Sequence, residues 1–430
     1  MPQLLPFRGL RYTVAAGPIS ALLAPPYDVI TATQHRALEE RSPYNAVRLE
    51  LADGGDDRYG RVASLIQRWE AAGIIARDAA LMLYVYEQLF SEGGRAYQRR
   101  ALLTAVESQP WEEGAIKPHE FTMSGPKEDR LKLLEATKVQ FSPVFMIARD
   151  RAGQLRQFLD STITARPPDI EGTTIEGDLH RVWLVEAGRY EMRQLAPLLS
   201  ESFYIADGHH RYETSVTYKE RRLLEGPLER DHPARFAMTA VVAASDPGLV
   251  IRPIHRIVPR PAPKDWRAKV GGIFDIGSVE GLPPADRRAE ALEGLLEAAP
   301  GMIVATGLDA PDSVHTLRLT DAAALAARTP HGRSERWASI PPNVLRYGVL
   351  EPLWGIDDDA LRAGAVLYTH DVGEVLDLVA GNPGAVSFLL HPVRIDEVMA
   401  LADQGERMPQ KSTFFHPKLG TGLVFHPLEP

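Results

Sequence analysis

Apolar positions recur along this chain at two spacings, and their alternation predicts a mixed α/β protein. Val62, Leu65, Ile66 and Trp69 fall three and four apart within 59–69, which places them on one face of a helix. The run 81–88 reads as a strand and 99–106 as its partner, with Gly93 and Gly94 in the hairpin between them. Residues 139–147 read as another strand, interrupted by Pro143. A helical stretch within 150–172 runs into Pro167 and Pro168, a connector. A strand at 181–185 and a helix at 191–199 follow, and 236–243 is a continuous apolar strand. Beyond the prolines at 259, 261 and 263, helices at 288–298, 356–363 and 395–404 alternate with strands at 313–319 and 386–390. These breaks predict three regions: 1–148, 149–260 and 261–430.

One switch of period stands apart. Phe203-Tyr204-Ile205-Ala206 has the pattern of a short buried strand, and His209 opens a helix that runs to Leu224 and stops before Gly226-Pro227. Asp207, Gly208, His209, His210 and Arg211 fill the turn. A strand that passes through glycine into a helix presents backbone N–H groups and the positive end of the helix dipole, which favour phosphate. Gly208 lets a ligand approach the backbone. Arg211 offers a planar fork that matches two phosphate oxygens. Asp207 has two readings of equal weight: holding Mg²⁺ or taking a proton, or capping the helix that follows. His209 and His210 are candidates for bonding a phosphoryl group, with at least one facing the ligand. Glu213 reads either as a base or as an exposed first-turn acid.

The run 207–211 resembles the signature turn of the ParB/sulfiredoxin superfamily, and its wording is nearest to that of free-serine kinases, which phosphorylate serine from a nucleotide. The resemblance implies a nucleotide-binding core of that type, accompanied by additional α/β domains. The chain as a whole resembles the family called domain of unknown function 1015. That resemblance rests on Pro6-Phe7-Arg8-Gly9, Ala24-Pro25-Pro26-Tyr27-Asp28, Ser42-Pro43-Tyr44-Asn45, His119-Glu120, Gly125-Pro126-Lys127-Glu128-Asp129-Arg130, Asp246-Pro247-Gly248-Leu249 and Met408-Pro409-Gln410-Lys411-Ser412-Thr413.

Several of these phrases carry further candidates. Lys127 and Arg130 lie three apart at a helix start and would share a face, as a phosphate clamp or as a solvated, self-paired first turn. The family resemblance favours the clamp. Glu120 is a candidate base or Mg²⁺ ligand, and no histidine follows at metalloprotease spacing. Tyr27 and Asp28 follow two prolines and would line a pocket or simply form a turn. Arg8, Arg48 and Asn45 are polar residues in apolar surroundings, with Arg8 the one assigned to a pocket. Lys411 lacks the frame of a P-loop but could reach a phosphate or a carboxylate. His35, His232 and His331 show no ligand spacing and read as surface residues.

Composition narrows the choice. At 430 residues the chain exceeds one core. It has no cysteine, which excludes disulfides, thiolate nucleophiles and cysteine-held metals. A formal net charge of −9 without a lysine- and arginine-rich run speaks against nucleic acid as a partner. No apolar stretch approaches a membrane span, and the first residues lack a signal-peptide pattern, so the expected location is the cytoplasm. The expected activity is phosphoryl transfer from a nucleotide (ATP or ADP with Mg²⁺) to a small hydroxylated metabolite, with free serine as the named acceptor. The alternatives are a phosphomonoester hydrolase of the phosphoserine type and a non-catalytic nucleotide-responsive binding protein.

Overall fold

The hairpin predicted around Gly93-Gly94 forms the middle of a nine-stranded sheet in the computed structural model, which describes residues 3–55, 57–122, 124–280, 283–298 and 300–430, without the side chains of Ser124 and Pro126. The fold is mixed α/β and divides into two units: Met1–Val250 with Pro417–Pro430, and Ile251–His416.

The strands of the first unit are β1 (Leu4–Leu5), β2 (Met82–Glu92), β3 (Arg95–Glu107), β4 (Ile116–Lys117), β5 (Val144–Ala148), β6 (Ile170–Thr173), β7 (Leu179–Glu186), β8 (Phe203–Asp207) and β9 (Phe236–Ala243). They lie in the order β4-β8-β5-β9-β3-β2-β7-β6, with β1 also paired to β3. Only β4–β8 and β5–β9 run parallel among these pairs. The central strands β5 and β9 are buried along their whole length, and both are continuous apolar runs, as strands covered on both faces must be. Pro143 splits the strand read at 139–147. Val139–Gln140 pairs with His426–Pro427 instead, and only Val144–Ala148 enters the large sheet. Helices α1 (Ala32–Arg41), α2 (Arg58–Ala71), α3 (Ser124–Thr137) and α4 (His209–Glu225) belong to the same unit.

The boundary expected at 148 falls at the end of β5, whose partners β8 and β9 both lie beyond it. One sheet therefore spans the regions 1–148 and 149–260. The second unit begins before the prolines rather than at them. Its strand β10 (His255–Val258) hydrogen-bonds inside a six-stranded sheet with β11 (Phe274–Val279), β12 (Met302–Thr306), β13 (Val314–Leu319), β14 (Leu367–Thr369) and β15 (Val386–Leu389). Among the described residues, no helix is long and apolar enough to cross a membrane.

Candidate functional site

The turn between β8 and α4 is assembled by three local features. Pairing of β8 with β5 shifts register between Ile205 and Asp207, so two residues of β8 oppose one of β5 and the strand end is re-aimed. Gly208 then takes φ 87°, left-handed backbone that an L side chain adopts with strain. Gly208, as the cap residue, brings no side chain to cap the helix that it opens. Tyr212, fully buried, anchors the first turn: its hydroxyl donates to the Gln109 carbonyl and accepts from the Gln109 N–H, each at 2.9 Å.

Asp207 is held between two cations. Arg211 Nη2 donates to Oδ2 at 2.6 Å, and Lys418 Nζ pairs with Oδ1. Burial alone would raise its pKa, but the charges of Lys418 and Arg211 outweigh burial and hold it at about 2. Both carboxylate oxygens thus face cations, so Asp207 offers neither a helix cap nor an open oxygen for Mg²⁺ in this arrangement. Arg211 is correspondingly committed, since its Nη1 donates to the Pro143 carbonyl and its side chain is 10% exposed. Lys418 carried no motif in the sequence that would have marked it.

On the other side of the turn, His209 and His119 meet edge to face with ring centroids 4.6 Å apart. The His119 N–H donates to His209 Nε2 at 3.3 Å. His119 Nδ1 lies 2.7 Å from the Ile205 carbonyl, which can only accept, so Nδ1 carries the proton. Its Nε2 faces Glu120 Oε1 at 3.9 Å. Burial pulls the His119 pKa down to about 4, which leaves the ring neutral at pH 7. His210 is half-buried and its pKa is lowered, chiefly by that burial, with Glu213 and Asp28 opposing.

Glu213 is neither an open base nor a solvated acid. Its carboxylate collects Trp111 Nε1 at 2.8 Å, Thr122 Oγ1 at 2.6 Å and Lys127 Nζ at 2.7 Å. Burial raises its pKa, and the hydrogen bonds from Lys127, Thr122 and Trp111 overcome that and lower it. Lys127 is therefore brought to the turn, on the first helical stretch of α3. Arg130 is not on its surface. The guanidinium is buried, donates to Asp129 Oδ2 at 2.8 Å and to the Glu50 carbonyl at 2.7 Å, and stacks over Tyr27 at 4.2 Å from the ring centroid. Asp129 in turn accepts from Arg58 at 2.6 Å and from Tyr59 at 2.7 Å. Glu50, 3% exposed, receives Ser142 Oγ at 2.9 Å, while its Oε2 has no hydrogen-bond partner. Burial pushes its carboxyl pKa up, against the pull of Arg130 and Arg211. Tyr27 is likewise pushed up to about 12, first by burial and then by Asp28. Asp28 is exposed beside this group.

Glu50 and Arg130 line a cavity of about 600 Å³ together with His35, Asp53, Arg58, Tyr59 and Asp129. They also line a smaller hollow of about 50 Å³ that reaches Arg211 and Ser142.

The family described as Protein of unknown function (DUF1015) matches residues 4–334. The chain belongs to that family. The match includes every residue of the turn, His119-Glu120, Lys127 and Arg130, and it ends before Lys411 and Lys418. No curated protein matches the DUF1015 chain. Solved structures with a similar course include a free serine kinase variant in complex with ADP, at 12% identity over 75% of this chain and 92% of that one, TM-score 0.35. A C-terminally truncated SbnI from Staphylococcus aureus is similar at 12% identity over 76% and 87%, TM-score 0.35. A conserved hypothetical protein from Pyrococcus furiosus is similar at 12% identity over 74% and 93%, TM-score 0.31. At such TM-scores the likeness assigns no activity.

Arg8, from the first of the DUF1015 phrases, lies apart from this group. Arg8 donates Nε to the Asp78 carbonyl at 2.7 Å and lines a different hollow of about 400 Å³ with Arg77, His232 and His426. Lys411 belongs to the second unit, where it takes φ 59° and its carbonyl accepts from Arg256 at 2.9 Å. His35, read as a surface residue, is buried instead. Helix α1 turns it inward, and its Nε2 lies 2.8 Å from the Leu51 carbonyl.

Proposed function

We propose that this protein is a nucleotide-dependent phosphotransferase acting on a small hydroxylated metabolite, with free serine as the first acceptor to test. The observation that carries this reading is the helix start at Gly208, which lacks a side-chain cap and has Lys127, Lys418, Arg211 and His210 grouped around it. Phosphoryl transfer depends on positioning and charge neutralisation more than on covalent chemistry, and a helix N-terminus among cations supplies both.

In the proposed complex a phosphate lies over the first turn of α4. Lys127 and Lys418 then exchange part of their interaction with Glu213 and Asp207 for the phosphate oxygens. Arg211 stays tied to Asp207 and holds the turn in shape. Glu120, 21% exposed, is the acid proposed to accept the proton of the attacking hydroxyl. Mg²⁺ would arrive on the nucleotide phosphates, whose charge it neutralises. Glu120 suits it better than Asp207, whose oxygens both face cations.

The test is incubation of the purified protein with serine, Mg²⁺ and either ATP or ADP, followed by ³¹P NMR for a phosphomonoester product, alongside Glu120→Gln and Lys127→Met. Product that disappears in the Glu120→Gln variant supports the assignment. Phosphate release from phosphoserine without nucleotide points to the hydrolase. Nucleotide binding without any product points to the binding switch. A folded protein that binds no nucleotide and forms no product overturns the reading.

A further inference from the structure

His35 and Glu39 lie one turn apart on α1, whose start is fixed by a reciprocal capping box between Thr31 and Gln34. The proton of His35 sits on Nε2, because the Leu51 carbonyl 2.8 Å away can only accept. Nδ1 is therefore a lone pair. It faces Glu39 Oε2 at 3.8 Å and Asp53 Oδ2 at 3.9 Å, both too far for a hydrogen bond. Three electron-pair donors converge with no proton between them, and one belongs to a ring whose side chain is 9% exposed.

The surroundings hold this arrangement in place. Arg48 engages the other Glu39 oxygen at 2.9 Å, which leaves Oε2 turned toward the ring. Arg61 donates to the Asp53 carbonyl at 2.7 Å and positions that loop. A histidine that donates its second nitrogen to a backbone carbonyl is the usual support of a metal-ligating imidazole.

We propose that His35 Nδ1, Glu39 Oε2 and Asp53 Oδ2 form a binding site for a first-row transition dication of the Zn²⁺ or Mn²⁺ kind. One imidazole nitrogen with two carboxylate oxygens suits such an ion better than Ca²⁺ or Mg²⁺, which take oxygen sets. Ligand pairs around tetrahedral zinc stand about 3.3 Å apart, given bond lengths near ~2.0 Å. The contraction from 3.9 Å falls on Asp53, whose side chain is 82% exposed and moves readily, and that from 3.8 Å falls on Glu39, whose side chain is 29% exposed. Three protein ligands leave at least one coordination position. His35 and Asp53 both line the 600 Å³ cavity, so a ligand completing the sphere would come from that space.

This site is independent of the phosphoryl-transfer reading, and its test does not use activity. The full chain is treated with a chelator, then titrated with Zn²⁺ by calorimetry and with Co²⁺ by visible absorption. The comparison variants are Asp53→Asn, His35→Gln and, as a control at an exposed histidine, His331→Ala. The expected result is one ion per chain with cobalt bands of a low-coordinate nitrogen–oxygen site. Asp53→Asn weakens binding at least tenfold, His35→Gln abolishes it, and His331→Ala leaves it unchanged, with near-ultraviolet circular dichroism confirming that the variants fold. No stoichiometric binding of either ion, or binding equal in all three variants, overturns the proposal.

Discussion

Lys418 reaches back across 211 residues of sequence to pair with Asp207, the last residue of β8. Its ammonium and the Arg211 guanidinium together keep a buried carboxylate ionised. Removing one partner leaves part of that charge uncompensated, and breaking a buried pair costs a few kcal/mol. Because Arg211 remains, we expect Lys418→Met to lose about 2 kcal/mol. Hydrogen exchange of the amides at 207–212 should accelerate selectively, and an unchanged exchange pattern would show that Lys418 is only a surface contact.

Gly208 should tolerate no side chain. A Cβ there would stand 2.9 Å from Arg211 Nε and 3.0 Å from its central carbon, on backbone already at φ 87°. Left-handed backbone alone costs ~1–2 kcal/mol for an L residue. Gly208→Ala should lower stability by at least that much and displace Arg211 from Asp207, which thermal unfolding and the arginine side-chain NMR resonances would report.

Glu213 should matter through what it gathers. Glu213→Gln keeps a carbonyl for Trp111 or Thr122 but loses the ion pair with Lys127, a charge-assisted contact worth about 1–2 kcal/mol in a half-buried setting. The variant should remain folded, loosen the start of α3 in hydrogen exchange and, under the proposed function, weaken nucleotide binding. Identical exchange at 127–130 in the two proteins would contradict this.

Acid should destabilise the protein in two steps. Burial holds His119 at about 4 in the folded chain, against about 6.5 when unfolded. The unfolded form therefore binds more protons between these values. Stability is complete above pH 6.5 and falls as the pH drops toward 4, by about 1.4 kcal/mol per pH unit for this group. Asp207, depressed to about 2, contributes stability above pH 4 that is lost between about 4 and 2. His119→Gln should reduce the first slope, to which His180, His255 and His426, lowered likewise by burial, also contribute, and leave the second, as denaturant titrations at successive pH values would show.

Much of the scaffold was legible because it rests on local periodicity. The strand 236–243, the helix 288–298 and the hairpin at Gly93-Gly94 all stand where their patterns placed them. So does the strand–turn–helix at 203–225. What the pattern could not supply were partners distant in sequence. Arg211 reads as a phosphate fork by residue type, yet its role in the fold depends on Pro143 and Asp207. Glu213 looked like a solvated acid because Trp111 and Thr122 are about a hundred positions away. Asn45 and Arg48 read only as polar residues in apolar surroundings, whereas Asn45 bonds the carbonyls of Ala21 and Leu23, and Arg48 turns to Glu39. Nothing local in the sequence marks His35 as buried, because the Leu51 carbonyl that meets its ring lies sixteen positions away.

The first unit is discontinuous, and that has a temporal meaning. Residues 417–430 supply Lys418 to Asp207, the Phe425 carbonyl to Leu10 and the pairing of His426–Pro427 with Val139–Gln140. On the ribosome these residues emerge only after the whole inserted unit, 251–416, has been made. Units usually fold in the order of their synthesis. Here the inserted unit can finish first, while the turn that carries Asp207 waits for its lysine. The candidate site is therefore among the last parts of the chain to mature, and a nascent protein stalled before residue 418 would carry the motif without its charge balance.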